Sequence, residues 1–310
     1  MAEPRLRRSL LITPGNRPER LRKAAGYGAD CVVLDLEDGV PPAAKLGARS
    51  FIAQVLRDLR NETRNPGHPA ELCVRINSLA SGWGEDDLAA LPLALIDSIM
   101  LPKVESVAGL REVEQRLERR DCDRGRERPL ELVLSLETPG GILQALPIAQ
   151  ASARASALFF GSGDYSAATG SALTDTALLF ARSMVAAAAG AARIQAIDAA
   201  YFQDVRDGEA TGRDARAARE LGFVGKLVFH PAQVAVVNQV FSPSAGEIDR
   251  AQRIVLAYRE ALAQGHGTAL VDGVFVAIDL VEPAQRLLRV AAMVEALARR
   301  PDGSNDNPPT

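Results

Sequence analysis

The 310-residue chain has little of what marks a secreted, membrane-bound or nucleic-acid-binding protein. It carries three cysteines, Cys31, Cys73 and Cys122, an odd number at spacings that match no metal-ligand pattern, which argues against a disulfide framework. Cys31 and Cys73 lie inside apolar runs and read as small buried hydrophobes. There is no excess of positive charge: 36 Lys and Arg stand against 39 Asp and Glu, a net charge of -3. Such a balance offers no general attraction for nucleic acid or anionic lipid. No apolar run reaches the length of a membrane-spanning helix, and MAEPRLRRSL leads into a strand without the apolar core of a signal peptide. The expectation is a cytoplasmic protein with no nucleic-acid or membrane partner.

What is present is ordinary globular composition, 47% hydrophobic and 24% charged, in an alternating pattern. Short apolar runs occur at Ser9–Thr13, Cys31–Leu36, Leu72–Ile76, Ser98–Leu101, Glu131–Leu136, Ala157–Gly161, Arg193–Ile197 and Gly225–Phe229. Each reads as a strand buried on both faces and is followed by a helix-like or turn-rich segment. The helical pattern predicts helices over 17–27, 42–59, 85–91, 107–119, 142–151, 175–189, 213–220 and 231–240. Eight parallel strands with helical crossovers is the count of a closed TIM (β/α)8 barrel, assigned to residues 1–241. Asn61 to Pro69 and Asp121 to Pro129 read as loops at the end opposite the active face, and the charged run ERRDCDRGRER as a solvated face. From residue 242 to 300 the pattern changes to two long helical segments around a short apolar stretch, a C-terminal helical extension. PDGSNDNPPT, residues 301–310, has the composition of a disordered tail.

In such a barrel the chemistry sits where strands end, and these ends are rich in charge. They bring Arg17 and Arg20, then Asp35, Glu37 and Asp38, Arg75, Lys103 and Glu105, Glu137, Asp164, Asp198 and His230. Charges gathered at one rim must be paired or hold a ligand. Glu137 in SLETPGG and Asp164 in FGSGDYSAATG follow successive strands. Two such carboxylates suit Mg²⁺, which takes one or two carboxylates plus water and substrate oxygens. An acid after a strand also serves as the N-cap of the next helix, and both readings stand for each residue alone. Arg75 has a planar fork suited to a carboxylate or to a carbonyl oxygen that becomes an enolate. Together the three imply aldol or Claisen chemistry. The basic segment PGNRPERLRK, with Arg17, Arg20, Arg22 and Lys23, suits a phosphate at the rim or is an exposed first helix. His230 before Pro231 reads as a satisfied histidine more readily than as a base.

Eight segments in order, TPGNRPERLRKA, GADCVVLDLEDGVPPAAKLGAR, VRINSL, LPKVES, SLETPGG, FGSGDYSAATG, LGFVGKLVFHPAQVAVVN and FSPSAGEID, resemble the citrate lyase β-subunit-like proteins of the HpcH/HpaI aldolase superfamily. That superfamily includes malyl-CoA and citramalyl-CoA lyases. The resemblance implies a TIM barrel with a C-terminal extension reaching a neighbouring subunit, a homo-oligomer (trimer or hexamer), Mg²⁺, and a 3-hydroxyacyl-CoA thioester as substrate. It implies Glu137 and Asp164 as metal ligands, Glu137 also bordering the substrate, and Arg75 on the reacting acyl oxygens. Asp35, Glu37 and Asp38 become an acidic shell behind the metal. Arg17 and Lys23 are placed near the CoA phosphates, and the His230 loop at the thioester. Two departures stand out. The family's Glu-Thr-Ala-Arg-Gly is here Glu137-Thr138-Pro139-Gly140-Gly141, which removes a side chain from the metal loop. The acid/base aspartate of a Gly-x-Met-(Val/Ile)-Asp segment aligns without gaps to Ala277, and Asp279 reaches that position with a shift of two residues.

The resemblance implies a Mg²⁺-dependent carbon-carbon lyase acting on malyl- or citramalyl-CoA, with Asp279 as acid/base. Two alternatives stay open: a citryl-carrier or free hydroxy-acid aldolase, and a non-catalytic acyl-CoA-binding barrel, the latter motivated by Ala277. The loop SGWGEDD with Trp83 shapes the pocket or packs on the surface.

Overall fold

The computed structural model describes residues 4–62, 71–120, 123, 125 and 128–299. The chain divides into two compact units, residues 1–241 and 242–310. In the first, β1 (Ser9–Pro14), β2 (Cys31–Asp35), β3 (Glu71–Arg75), β4 (Ser98–Leu101), β5 (Glu131–Leu136), β6 (Ala155–Phe160), β7 (Gln195–Asp198) and β8 (Gly225–Val228) pair in sequence order into a closed parallel barrel. Closure comes from β1, which pairs with both β2 and β8. The fold is therefore the (β/α)8 barrel that the eight apolar runs predict, with strand boundaries within two residues of those runs.

Strand alternation sorts the side chains. Leu10, Ile12, Cys31, Val33, Cys73, Met100, Val133, Ala157, Phe159, Ile197 and Leu227 form one buried cluster inside the barrel. The intervening residues, such as Leu11, Val32, Leu34, Val74, Ile99 and Leu134, join the larger cluster between strands and helices. Cys31 and Cys73 are fully buried core residues, as small hydrophobes should be. Cys122 and the tail lie outside the described residues, as do most of the two polar loops.

The helices follow local signals. The helix Val107–Arg119 starts at Ser106, whose Oγ accepts the Gly109 N–H, and it buries Leu110, Val113 and Leu117 on one face. Thr174 and Asp207 cap Asp175–Ala192 and Gly208–Glu220 in the same way. The expected helix over 142–151 is two short ones, Pro139–Leu143 and Ala145–Gln150. A helix at Ser162–Thr169 was not expected, because Gly161 and Gly163 have poor helix propensity; it is closed by Gly170 at φ 71°.

The second unit pairs the helices Ala245–Ala263 and Ile278–Ala298 with a hairpin, β9 (Ala269–Val271) and β10 (Val274–Val276). The last helix starts at Ile278, five residues before Pro283, which it holds inside it. Ser244 and Glu247 form a capping box. Asp272 and Gly273, at φ 52° and 77°, make the turn that a tight hairpin requires. Val271, Val276 and Val281 form its small core. No described helix is long and apolar enough to cross a membrane.

The bottom of the barrel is closed by Arg7. Its guanidinium donates to Glu71 twice (2.7 and 2.8 Å), to Glu131 (2.6 Å), to Ser156 (2.9 Å) and to Gln195 (3.0 Å). All five N–H groups of the fork are used, and Arg7 and Glu71 are almost fully buried. Breaking one side of a buried pair leaves the other charge uncompensated. Arg7→Met should therefore lower the unfolding free energy by about 3–5 kcal/mol in urea titrations. Arg22→Met, at an exposed position, should change it by no more than about 0.5 kcal/mol.

Candidate active site

At the opposite end, register decides which charges meet. β2 and β3 pair with Asp35 directly opposite Arg75, and both follow inward-facing residues, Val33 and Cys73, by two positions. Arg75 Nε donates to Asp35 Oδ1 (2.7 Å) and Nη2 to Oδ2 (2.8 Å), a bidentate pair. Asp35 also accepts the N–H of Glu37 (2.8 Å) and of Gly39 (3.0 Å), which folds the acidic loop back over it. A Cβ on Gly39 would lie 2.4 Å from Asp35 Oδ2, so this turn requires glycine. Below the loop, buried Lys45 donates to the carbonyls of Leu36 (2.8 Å) and Glu37 (3.1 Å) and to Asn77 Oδ1 (2.8 Å). Burial lowers its pKa against the pull of Asp87 and Asp35.

Glu37 turns toward the mouth and meets two cations, Arg75 Nη1 and Lys103 Nζ, each at 2.9 Å. Lys103 also reaches Asp38 at 3.2 Å. Asp35, Glu37 and Asp38 thus each have a cationic partner. They stand behind the mouth as the acidic shell the resemblance implies. Three carboxylates share two cations, so each is paired while the group keeps a net negative charge. The Arg75 fork is not free: its two edges are held by Asp35 and Glu37. The Lys103 side chain is 38% exposed.

Glu137 and Asp164 differ. Glu137 follows β5 and is 2% exposed. Its Oε1 accepts the backbone N–H of Lys103 at 2.8 Å, and no cationic side chain of the described residues pairs with it. Asp164 lies in the first turn of the helix Ser162–Thr169 rather than on a loop, half-buried, without a hydrogen bond or ion pair among the described residues. Gly161, the N-cap of that helix, lets Glu137 pack against it, because a Cβ there would lie 2.5 Å from Glu137 Oε2. Burial, then repulsion from Glu37 and Asp164, pushes the Glu137 carboxyl up to about 8, against the Lys103 N–H and Arg75. Among the described residues no three His, Cys, Asp or Glu groups gather as a complete metal cage. Two uncompensated carboxylates in a polar mouth fit Mg²⁺, which keeps waters and takes substrate oxygens for the rest of its shell. A divalent cation between them would also cancel the repulsion that raises Glu137.

Both carboxylates line a cavity of about 540 Å³ together with Asp35, Asp38 and Arg75 and with the apolar Ile12, Phe159, Leu227, Phe202 and Phe229. Phe202 and Phe229 meet edge to face at 6.4 Å and were not singled out by the sequence; Phe229 could have been, as the apolar residue ending its run. Arg20 lines the cavity, whereas Arg17 and Lys23 are exposed and do not. His230 does not line it either: its Nδ1 accepts the Ala232 N–H at the start of the helix Pro231–Phe241. Asp198 is not at the mouth. It is fully buried against Lys226 and Arg182 on the outer side of the barrel, because Ile197 beside it takes the inward direction. In the second unit, Asp279 is exposed in the first turn of the helix Ile278–Ala298, and Ala277 precedes that helix. In the metal loop, Thr138 caps the helix Pro139–Leu143, and a Cβ on Gly141 would meet the Val104 carbonyl at 2.5 Å.

Fold and site together define a (β/α)8 barrel with an acidic mouth suited to a divalent cation beside a fixed arginine. The chain belongs to the HpcH/HpaI aldolase/citrate lyase family, whose model matches residues 8–231. It is 34% identical over 301 residues to the mitochondrial citramalyl-CoA lyase of Homo sapiens, covering 93% of this chain and 86% of that one. It is 34% identical over 289 residues to a (3S)-malyl-CoA thioesterase of Cereibacter sphaeroides, covering 92% and 95%. The solved structure of CitE from Mycobacterium tuberculosis in complex with magnesium, acetoacetate and coenzyme A superimposes with a TM-score of 0.70 and 31% identity, covering 92% and 97%.

The raised Glu137 makes stability depend on pH. In metal-free protein between about pH 4.5 and 8, the folded state keeps the Glu137 proton that the unfolded chain has lost. Stability contributed at this site therefore falls as pH rises. Urea unfolding in the presence of a chelator should show Glu137→Gln gaining on the natural chain across that window, with the largest advantage near pH 8. Added Mg²⁺ should remove the advantage by stabilising only the natural chain.

Proposed function

We propose that this chain is a Mg²⁺-dependent carbon-carbon lyase that cleaves a 3-hydroxyacyl-CoA thioester of the malyl or citramalyl type. The observation that carries the reading is the sorting of charge at the mouth: three acids are paired with Arg75 and Lys103, and Glu137 and Asp164 are not. The similarity to a citramalyl-CoA lyase and to a structure holding magnesium and coenzyme A supports it.

Glu137 and Asp164 would hold the metal, which supplies a positive centre that orients the 2-oxo acid and the 3-oxygen. Arg75, fixed by Asp35 and Glu37, would offset the negative charge that grows on the thioester oxygen as the C2–C3 bond breaks and its electron pair becomes the enolate. Protonation of that enolate at C2 gives the shorter acyl-CoA, and the C3 fragment leaves as glyoxylate or pyruvate. Phe202, Phe229 and Leu227 would exclude water beside the reacting carbons. Arg20 and Lys23 on the helix Pro18–Ala24, with Arg17 at its N-cap, would receive the CoA phosphates, and the His230 loop would border the thioester. The 3-hydroxyl proton is assigned to Asp279 of a neighbouring subunit, delivered by the extension at residues 242–300 in a trimer or hexamer. The acid shell of Asp35, Glu37 and Asp38 would tune the site without touching the metal.

Incubation with malyl- or citramalyl-CoA should release a shorter acyl-CoA and a 2-oxo acid, only with Mg²⁺ present, and faster than from free citramalate or a carrier-bound citryl group; 3-hydroxy-3-methylglutaryl-CoA, whose cleavage would give a 3-oxo acid instead, completes the screen. Release of free CoA without a new 2-oxo acid would instead mark thioester hydrolysis, the activity named in the Cereibacter relative. Glu137→Ala and Asp164→Ala should each lower kcat/KM by 10²-fold or more; cleavage that survives both overturns the metal assignment. Loss of cleavage in Asp279→Ala would exclude a non-catalytic barrel, and full activity in that variant would remove Asp279 from the mechanism.

A further inference from the structure

Three non-glycine residues of the described chain have positive φ: Lys103 at 50°, Arg193 at 58° and Asp272 at 52°. For two of them the local fold supplies the reason. Arg193 is the left-handed C-cap of the helix Asp175–Ala192, and Asp272 sits in the turn between β9 and β10. Lys103 has no such reason. It stands two residues past β4, where neither a helix cap nor a hairpin turn asks for a left-handed backbone, and strain of this kind collects at functional sites.

The conformation has two consequences at once. The Lys103 N–H points at Glu137 Oε1 (2.8 Å), while its ammonium crosses to Glu37 Oε1 (2.9 Å) and Asp38 Oδ2 (3.2 Å). The following residue continues the docking onto β5, with Val104 N–H donating to the Ser135 carbonyl (3.0 Å). One oxygen of Glu137 is therefore occupied, and the other, Oε2, lies against Gly161 at the start of the helix that carries Asp164.

We infer that Lys103 is a positioning residue that separates the mouth's carboxylates into ligands and non-ligands: its N–H makes Glu137 a one-oxygen donor, and its ammonium holds Glu37 and Asp38 away from the cation. The inference rests on the reading of Glu137 and Asp164 as metal ligands. Its physical content is selectivity. Mg²⁺ accepts few protein ligands in a strict octahedron, whereas Ca²⁺ takes six to eight oxygens in a flexible shell. Without the ammonium, Asp38 loses its partner and Glu37 keeps only Arg75, and more carboxylate oxygen available at the mouth favours Ca²⁺.

The test uses the full chain with Lys103→Met, Lys103→Gly and Lys103→Arg. Mg²⁺ and Ca²⁺ dissociation constants are measured calorimetrically without substrate, together with metal-free melting temperature. Met and Gly should each shift the Ca²⁺/Mg²⁺ affinity ratio toward Ca²⁺ by about tenfold or more, and Arg should restore it by at least half on a logarithmic scale. Lys103→Gly should melt no lower than the natural chain, since glycine accepts this φ, which separates the effect from loss of folding. A natural ratio in both Met and Gly overturns the inference. The underlying reading has its own control: Glu137→Gln should abolish Mg²⁺ binding, and if binding persists, that reading fails and this inference with it.

Discussion

The mouth of the barrel depends on the register between β2 and β3. It places Asp35 opposite Arg75, and the bidentate pair that forms there does more than neutralise two charges. Asp35 has acceptor sites left after binding the guanidinium and uses them on the Glu37 and Gly39 N–H groups, so the acidic loop takes its path from the same carboxylate. Arg75 in turn meets Glu37, and Glu37 meets Lys103. A slip of one residue between these strands would turn Asp35 or Arg75 to the other face and leave the loop, the arginine and the lysine without their shared partners.

The two ends of the barrel use charge in opposite ways. At the bottom, Arg7 spends its whole fork on Glu71, Glu131, Ser156 and Gln195, a satisfied plug with no donor left for a ligand. At the outer side of β7 and β8, Asp198, Asp214, Arg182 and Lys226 balance one another in the same manner. At the top, pairing stops short and leaves Glu137 and Asp164. The low dielectric that makes a satisfied network stiff makes an uncompensated one costly, and the raised Glu137 carboxyl records that cost. A cation answers it, which is why the unpaired carboxylates, rather than the number of acids at the rim, carry the functional reading.

Much of this is legible in the sequence. Glu137, Asp164 and Arg75 could be picked out because short apolar runs ending in glycine or a charge are local signals, and all three line one cavity. The family adds roles that local pattern cannot supply, and the structure sorts them. Arg20 lines the mouth and Arg17 and Lys23 do not: Arg17 is the N-cap before the helix Pro18–Ala24, and Lys23 lies a turn further along it. Asp198 was read as part of the rim because it ends a strand, yet parity was available in the sequence: with Ile197 inward, its neighbour must face the helices. The helix that holds Asp164 is not legible because Gly163 inside it and Gly161 before it argue for a loop, and its stability comes from the barrel it packs on rather than from propensity.

By itself the sequence determined the number of strands, the period that turns apolar residues inward and outward, the caps and turns, and the inventory of charge delivered to each strand end. These are local properties, set within a few residues by sterics and hydrophobic pattern. The tertiary structure alone decided which charges meet. Asp35 and Arg75 are forty positions apart, Lys103 and Glu137 thirty-four, and only strand register and the left-handed turn at Lys103 bring them within hydrogen-bond distance. Whether an acid is a structural partner or an open donor depends on what stands opposite it, and that is a property of the closed barrel rather than of any stretch of chain.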